Sequence, residues 1–291
     1  MKGGYNFAYL DEGSKREIRR AALKAVAIPG YQVPFASREM PIARGWGTGG
    51  LQLTLSLVGP DDVLKVIDQG SDESVNAVNI KKLVHATTGI STTDATDEAT
   101  LIQSRHRIPE RPLRPDQILV LQVPIPEPLR IVEPREEVTK RLHAEREYTG
   151  AFLMLFEQIV RHGRMSTGAD HPVEVHGRYV MAPSPIPRFD NPKLHDAPAL
   201  TLLGAGREKK IYAVPPHTDV RSLGFDDHPF RLESVEGRRC RLCGAQEVFF
   251  DELVDEATGA TAYQCNDTSE CLRRRNEDAA SRGGPADRGQ V

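Results

Sequence analysis

The four cysteines of the chain, all within residues 240–271, constrain its fold more than any other feature of the sequence. Their spacing is C-x2-C-x21-C-x5-C. Two cysteines separated by two residues lie on one tight turn, and Gly244 directly after the first pair can supply the positive φ that such a turn often needs. Residues 247–254 and 260–264 have the pattern of two strands joined by a turn. This predicted hairpin would bring Cys265 back to the first pair.

Three or four sulfur ligands at one point suit Zn²⁺ or an iron–sulfur cluster, because both metals bind thiolates. Closed four-cysteine zinc sites are common, so a structural zinc ribbon is one interpretation. Five residues separate Cys265 from Cys271, whereas two usually separate the paired ligands of a zinc ribbon. A second interpretation is therefore that only three of the cysteines bind the metal and that Cys271 has another function. Arginines flank the cysteines on both sides, and nearby positive charge favours the thiolate. The spacing predicts a metal site without deciding its metal.

Composition excludes several classes of protein. The chain of 291 residues has a net charge of −3, which gives no general footprint for nucleic-acid binding. No apolar run approaches the roughly 20 residues of a membrane span, and the N-terminus has no apolar core of a secretory signal. The few cysteines are confined to one group that resembles a metal site, so we expect a cytoplasmic protein with no disulfide scaffold. From the charge and the apolar runs, we expect neither membrane nor nucleic acid as a partner.

The periodicities predict an α+β fold with mixed or antiparallel sheets, flanking helices, a helical insertion and a small C-terminal four-cysteine β-hairpin that binds metal. We expect the catalytic domain to begin with an α+β part and to resume after the insertion, which would dock a partner. A cysteine-rich hairpin and a disordered tail would follow. The expected bounds are 1–130, 131–172, 173–232, 233–276 and 277–291.

Local signals place several elements. A capping box at residues 14–17 predicts a helix that ends at Pro29 and Gly30, where glycine ordinarily terminates a helix. Residues 72–88 have a helical pattern. Residues 117–123 form a nearly continuous apolar run, which is typical of a buried strand.

A glycine-rich run contains a literal G-x-G-x-x-G at Gly45, Gly47 and Gly50. A dinucleotide site requires a helix directly after this motif. Residues 51–57 instead alternate leucine with polar residues, which is the period of a strand. We therefore reject a dinucleotide site and keep only the weaker hypothesis that backbone N–H groups of this run bind an anion.

Several stretches of the sequence are distinctive when they are taken together with the cysteine spacing. They are GYNFAYLDE at 4–12, KAVAIPGYQVPF at 24–35, GWGTGG at 45–50, RHRIPE at 105–110, QVPIPEPLR at 122–130 and GAGREK at 204–209. From about residue 4 to about residue 277, the chain resembles the family of carbon–phosphorus lyase catalytic subunits (PhnJ). The cysteine spacing matches that family and differs from the C-x3-C-x2-C of most radical S-adenosylmethionine enzymes.

The resemblance implies a radical mechanism and assigns residues to it. Cys240, Cys243 and Cys265 would hold a [4Fe–4S] cluster that leaves one iron open for S-adenosylmethionine. Gly30 would be the glycyl-radical residue and Cys271 the thiyl-radical residue. In preparations made in air, zinc would bind the same cysteines and Cys271 would join them. Such radical chemistry belongs to the cofactor, and it suits an unactivated C–P bond, which has no easy two-electron route.

The resemblance also implies a substrate and partners. The enzyme would cleave α-D-ribose 1-methylphosphonate 5-phosphate to α-D-ribose 1,2-cyclic phosphate 5-phosphate and methane in phosphonate catabolism. Arg105, His106 and Gln122 are the expected contacts to phosphate and ribose. Other core subunits and an ATP-binding-cassette subunit would be partners, the latter through Glu147 and Phe156. The alternative is a non-catalytic scaffold subunit with a structural four-cysteine zinc ribbon.

Overall fold

The computed structural model describes residues 10–35, 48–68, 71–105, 107–123, 129–162, 172–181, 188–206, 208–224 and 235–282. The chain divides into two compact units, Met1–Glu233 and Ser234–Val291. The first unit contains a mixed sheet with flanking helices and a small antiparallel sheet, and the second contains a β-hairpin and a helix. The predicted α+β class is confirmed.

The helices and strands follow one another along the chain with mostly short connections. The helices are α1 (Glu12–Ala27), α2 (Thr48–Leu57), α3 (Val75–Thr88), α4 (Leu129–Val132), α5 (Glu136–Glu145), α6 (Thr149–His162) and α7 (Thr268–Arg282), and a 3₁₀ helix spans Arg188–Leu194. The strands are β1 (Val33–Pro34), β2 (Val63–Ile67), β3 (Ser91–Thr92), β4 (Leu101–Arg105), β5 (Ile118–Gln122), β6 (Val173–Val175), β7 (Tyr179–Met181), β8 (Leu200–Ala205), β9 (Lys210–Val214), β10 (Val220–Ser222), β11 (Phe250–Val254) and β12 (Thr261–Cys265).

The large sheet has the order β1-β9-β8-β5-β4-β2-β3. Strands β3, β2, β4, β5 and β8 are parallel, whereas β9 and β1 are antiparallel additions at one edge. The predicted central strand is confirmed as β5. Its alternate residues enter two different cores, since Val120 packs with α1, α2 and α3, and Leu119 and Leu121 pack on the opposite face. Both faces of the sheet are therefore covered, as the continuous apolar run of β5 requires.

The second face of the sheet carries the small antiparallel sheet β10-β6-β7. Beside it, α6 buries Ala151 and Leu155 in a third apolar cluster that includes Leu129 of α4 and Val180 of β7. Among the described helices, none combines the length and the apolar character that crossing a membrane requires.

Residues 51–57, expected to form a strand, belong to helix α2, and that prediction was wrong. The alternating pattern misled because α2 is buried on all sides, so that Gln52, Thr54 and Ser56 are as enclosed as the leucines between them. A helix that is buried all round has no amphipathic period to detect. The helix that the G-x-G-x-x-G motif requires is thus present, although Gly45 and Gly47 lie outside the described residues.

The glycines of this run have a packing role. A Cβ on Gly49 would lie 2.5 Å from the carbonyl oxygen of Gly204, and a Cβ on Gly50 would lie 3.0 Å from Cβ of Gln122. Glycine therefore allows the first turn of α2 to approach the ends of β8 and β5 more closely than any side chain would permit.

Two other boundaries differ from expectation. Helix α1 begins at Glu12, because Asp11 rather than Ser14 is the N-cap and its carboxylate accepts a hydrogen bond from Ser14 N at 2.9 Å. The first residues of the predicted disordered tail are helical, since α7 continues to Arg282 through acidic–basic pairs such as Arg273–Glu277. The rest of that tail lies outside the described residues.

Candidate functional site

The cysteine pair Cys240 and Cys243 lies on a tight turn in the second unit. Gly244 N donates to Cys240 O at 2.9 Å, and Gly244 has φ +71°, as the sequence predicted. The turn is joined to the hairpin because Arg241 N donates to Tyr263 O at 2.8 Å. One edge of strand β12 thus holds the first cysteine pair in place.

The hairpin and the helix after it bring the other two cysteines to the same point. Strand β12 pairs with β11 and ends at Cys265, which is fully buried. Two residues later, Asp267 caps helix α7 by accepting a hydrogen bond from Glu270 N at 3.2 Å. Cys271 is then in the first turn of α7, and its own N–H donates to Asp267 O at 3.0 Å.

The four sulfur atoms all lie within 4.8 Å of one another. The Cys240–Cys271 sulfurs are 3.8 Å apart, and the Cys243–Cys265 sulfurs are 3.5 Å apart. Cys240, Cys265 and Cys271 are buried. A single centre surrounded by four sulfurs is the geometry of a metal site, so the structure brings together the cysteines that the sequence singled out.

The pKa values of Cys240 and Cys271 are shifted in opposite directions. Burial acts to raise the pKa of the Cys240 thiol, but three backbone N–H groups, including that of Leu242, donate to its sulfur and lower the pKa to about 6. Burial and the neighbouring sulfurs raise the pKa of Cys271 to about 12. Cys240 is thus prepared as a thiolate ligand, whereas Cys271 keeps its proton until a metal displaces it.

The donor set suits both metals named above, but the spacing distinguishes them. Thiolates about 2.3 Å from a tetrahedral Zn²⁺ are separated by slightly less than 4 Å, which agrees with the two shorter sulfur distances. A [4Fe–4S] cube occupies more room than sulfurs within 4.8 Å of one another leave. The arrangement fits a single ion as it stands, and a cluster would require the cysteines to move apart.

Gly30 lies in the first unit, just beyond the end of α1. It has φ +85°, and a Cβ built on it would meet nothing closer than Cβ of Arg178 at 3.9 Å. The backbone at Arg178 is itself anchored, because its carbonyl oxygen accepts hydrogen bonds from the hydroxyl of Tyr148 and from Nδ1 of His143. The backbone conformation therefore favours glycine at this position, whereas the space at its Cβ position would admit a methyl group.

Two of the three expected substrate contacts are neighbours. Arg105 and Gln122 are register partners at the carboxyl ends of β4 and β5. Ligands of open parallel sheets bind at this end of the strands. The guanidinium of Arg105 already pairs with Asp68, with Nε 2.6 Å from Oδ1. His106 lies outside the described residues.

The expected partner contacts lie at the start and on the outer side of α6. Glu147 is exposed, and its carboxylate accepts a hydrogen bond from Thr149 N at 2.9 Å. A hydrogen bond from the Thr149 side chain, together with this backbone hydrogen bond, holds the pKa of Glu147 below its usual range. Phe156 is half-buried, and Leu153 is exposed on the same helix. Glu147 therefore has a structural task, the capping of α6, that the sequence analysis missed.

The residues that surround Gly30 were not predicted from the sequence. Residues of α4 and α5, namely Arg130, Thr139, Lys140 and His143, line a pocket beside this glycine. They are separated from Gly30 by about a hundred residues of chain, and no local motif marks them. The available signal was the helical period of residues 136–145, which places Thr139 and His143 on one buried face.

The chain is similar to proteins of one known family over almost its whole length. A model of the phosphonate metabolism protein PhnJ matches residues 3–277 of the chain. The chain belongs to the PhnJ family. The alpha-D-ribose 1-methylphosphonate 5-phosphate C-P-lyase of Rhizobium meliloti (strain 1021) is 58% identical over 271 residues, which are 93% of this chain and 91% of that protein. The Escherichia coli (strain K12) C-P lyase of the same description is 58% identical over 271 residues, which are 93% of this chain and 96% of that protein.

Membership of the PhnJ family confirms the resemblance inferred from the sequence. The match with the family model begins before Gly30 and ends after Cys271, so it includes both of these residues and the metal-binding cysteines between them.

Proposed function

We propose that this PhnJ-family chain is a carbon–phosphorus lyase of phosphonate catabolism that acts on α-D-ribose 1-methylphosphonate 5-phosphate. The products would be α-D-ribose 1,2-cyclic phosphate 5-phosphate and methane. The observation that carries the proposal is 58% identity across 93% of the chain to two proteins described by that activity.

We further propose that the reaction is a radical S-adenosylmethionine reaction. A [4Fe–4S] cluster at Cys240, Cys243 and Cys265, together with S-adenosylmethionine, would supply the initiating radical. Gly30 would carry a main-chain radical, because only glycine can flatten at Cα without a side-chain clash and its two peptide groups delocalise the unpaired electron. No atom lies closer than 3.9 Å to the position of a Cβ on Gly30, so a flattened Cα would meet no close contact on that side.

Cys271 would give its hydrogen atom to the Gly30 radical and become a thiyl. The thiyl would attack phosphorus and break the C–P bond by expelling a methyl radical, which would take hydrogen from Gly30 to form methane. The ribose 2-hydroxyl would then displace the sulfur and restore the cysteine. Burial raises the pKa of the Cys271 thiol, which favours its protonated form. A protonated thiol carries the hydrogen atom that a glycyl radical can abstract, whereas a thiolate does not. Arg105 and Gln122 would contact the sugar phosphate at the carboxyl ends of β4 and β5, and His106 would join them.

We also propose that the chain works in the cytoplasm inside a complex with other core subunits and an ATP-binding-cassette subunit. Residues 131–172 would carry the contact with the latter, through Glu147 and Phe156. The exposed apolar side chains Leu153 and Val160 on α6 support a docking surface here.

A second candidate function is favoured by the sulfur spacing. Four sulfurs within 4.8 Å fit one tetrahedral zinc ion, as in a structural ribbon of a non-catalytic scaffold subunit. On this hypothesis Cys271 is a fourth ligand and Gly30 only terminates α1.

Anaerobic reconstitution with iron and sulfide separates the two candidates. The lyase should acquire a reducible cluster, cleave S-adenosylmethionine, and release methane from the ribose phosphonate when its partner subunits are present. The scaffold should keep stoichiometric zinc that a reductant does not affect. Zinc found in protein purified in air decides nothing, because both candidates bind it under those conditions.

A further inference from the structure

A pocket beside Gly30 is formed by the turn after α1 and by two helices that follow it about a hundred residues later in the chain. The turn after α1 contributes one wall, α4 a second and α5 a third. The lining residues are Gly30, Tyr31, Gln32, Arg130, Glu136, Thr139, Lys140 and His143.

The charges at this pocket are unbalanced. Glu136 is the one carboxylate among the lining residues, and three cations surround it. Its oxygens lie 3.2 Å from Lys140 Nζ, 3.8 Å from Lys210 Nζ and 3.9 Å from Arg130 Nη1. Glu137 also approaches Lys140, at 3.6 Å, but its side chain is 88% exposed and does not line the pocket. The two cations of the lining, Arg130 and Lys140, therefore carry more charge than Glu136 neutralises.

Two hydrogen-bond donors in the lining have no acceptor among the residues that the structure describes. They are Nε2 of Gln32 and Nε of Arg130, and both atoms are buried. Buried N–H groups without an acceptor are uncommon in folded proteins, because the lost hydration is not replaced. The two donors and the surplus of cations indicate the same kind of ligand, an anion with several acceptor oxygens.

We propose that this pocket binds the phosphonate group of the substrate, with Arg130 and Lys140 as its cationic contacts and Gln32 as a neutral donor. An oxyanion of phosphorus has enough acceptors for these donors together, and it would compete with Glu136 for the same cations. The choice of the phosphonate rests on the proposed function, in which Gly30 exchanges hydrogen at the reacting end of the substrate.

The substrate also carries a 5-phosphate with the same ligand chemistry, so two probes are needed. The first is α-D-ribose 1-methylphosphonate, which lacks the 5-phosphate, and the second is ribose 5-phosphate. Binding of each probe to the full-length chain is measured by ³¹P NMR titration. This measurement needs no turnover.

The double variant Arg130→Gln/Lys140→Gln should weaken binding of the ribose phosphonate roughly tenfold or more, because it removes two charge-assisted contacts. Ribose 5-phosphate should bind as it does to the unaltered chain. The matched control Lys81→Gln/Arg114→Gln removes the same charges elsewhere in the first unit, where these side chains pair with Asp94 and Asp116, and it should leave both probes unaffected.

A third variant should change the affinity for the ribose phosphonate in the opposite direction. Glu136→Gln removes the competing carboxylate, so it should tighten binding of the ribose phosphonate by about fivefold. A purely structural role for Glu136 predicts no tightening. Should the double variant fail to fold, Lys140→Gln alone makes the comparison, since that side chain is 55% exposed.

Unchanged binding of the ribose phosphonate in the double variant would overturn the proposal, and so would a loss confined to ribose 5-phosphate. These outcomes are distinct from failure of the proposed function. If the reconstituted complex releases no methane while the variants shift binding as expected, the lyase assignment fails and the anion pocket stands.

Discussion

At Gly30, the backbone conformation disfavours a side chain, although the surroundings leave space for a methyl group. The φ of +85° is unfavourable for any residue with a Cβ, whereas the nearest atom to a Cβ at this position would be 3.9 Å away. The energetic and the chemical consequences of a substitution can therefore be separated.

Gly30→Ala should lower the free energy of unfolding by about 1 kcal/mol and leave a folded protein, because alanine at positive φ is strained and nothing crowds it. It should release no methane, since the methyl group hinders a planar Cα radical. With deuterated S-adenosylmethionine, the unaltered chain should pass label through Gly30 into methane and the variant should not.

Gly89→Ala is the matched control for this variant. Gly89 ends α3 with φ +80°, and nothing lies within 4 Å of a Cβ built there. It should cost a similar amount of stability and retain methane release. Methane from Gly30→Ala at a tenth of the normal rate would return Gly30 to the role of a helix terminator.

The cysteines should divide into two functional groups. Cys240→Ala, Cys243→Ala or Cys265→Ala should abolish assembly of the cluster. Cys271→Ala should retain the cluster and cleavage of S-adenosylmethionine but lose C–P cleavage. Iron and sulfide per chain, 5′-deoxyadenosine and methane are the three quantities to measure. Failure of Cys271→Ala to assemble a cluster would contradict this division.

At the scale of elements, the N-terminus of α7 positions Cys271. Asp267→Ala removes the acceptor of the Glu270 N–H and should destabilise the first turn of α7 by about 1 kcal/mol. Because Cys271 lies in that turn, zinc affinity should fall severalfold in a competition titration with a chromogenic chelator.

Asp255→Ala provides the comparison for this cap. Asp255 accepts hydrogen bonds from the backbone of Ala257 and Thr258 in the turn between β11 and β12, at the opposite end of the hairpin from Cys265. Its loss should weaken the turn and leave zinc affinity unchanged. Equal effects of the two substitutions would mean that α7 does not position Cys271.

Helix α6 allows a test of the docking proposal. Charge reversal at Glu147 with Phe156→Ala should release the ATP-binding-cassette subunit during co-purification and leave the core subunits together. Since Glu147 also caps α6, Glu147→Gln is the control that retains an acceptor for Thr149 N. Unchanged co-purification of that subunit after the charge reversal would count against the contact.

Elements with one buried and one exposed face, or with clear caps, could be predicted from the sequence. Helix α3 begins after its N-cap Ser74 and ends at Gly89, close to the predicted bounds. Helix α2 could not be predicted in this way. Its Thr54 is as buried as Leu53, and burial on every side removes the period on which the prediction depends.

The candidate site was predictable in part, for a related reason. One hairpin and one helical turn connect the cysteines, so their spacing along the sequence predicts that their sulfur atoms lie close together. Residues of α5 line the pocket at Gly30, and α5 is placed there by its packing with α4, α6 and β7. Sequence distance hides such neighbours, because no spacing rule connects Gly30 with Lys140.

For the whole molecule, the two units differ in the amount of core they possess. In the described part of the second unit, the buried side chains are those of Val235, Val248 and Phe250, the polar residues Asn266, Asp267 and Glu270, and three of the four cysteines. So small a core rarely supports a fold without a metal or a disulfide. The first unit contains the three larger apolar clusters.

A chelator should therefore unfold the second unit at a lower temperature than the first. Differential scanning calorimetry should show one transition in the metal-loaded chain splitting into two after zinc is removed, with the later transition unchanged. Trypsin should then cut within residues 238–241 and 273–275. A metal-free chain that melts in one unchanged transition would show that the hairpin is stable without metal.

Helix α5 belongs to two surfaces at once. One side lines the pocket at Gly30 with Thr139 and His143, and the other exposes Arg141 and Glu145 on the segment where we expect a partner to bind. A partner bound to the outer side of α5 would therefore contact the same helix that lines the pocket at Gly30. Substitutions on the two sides of this one helix would report separately on the two surfaces.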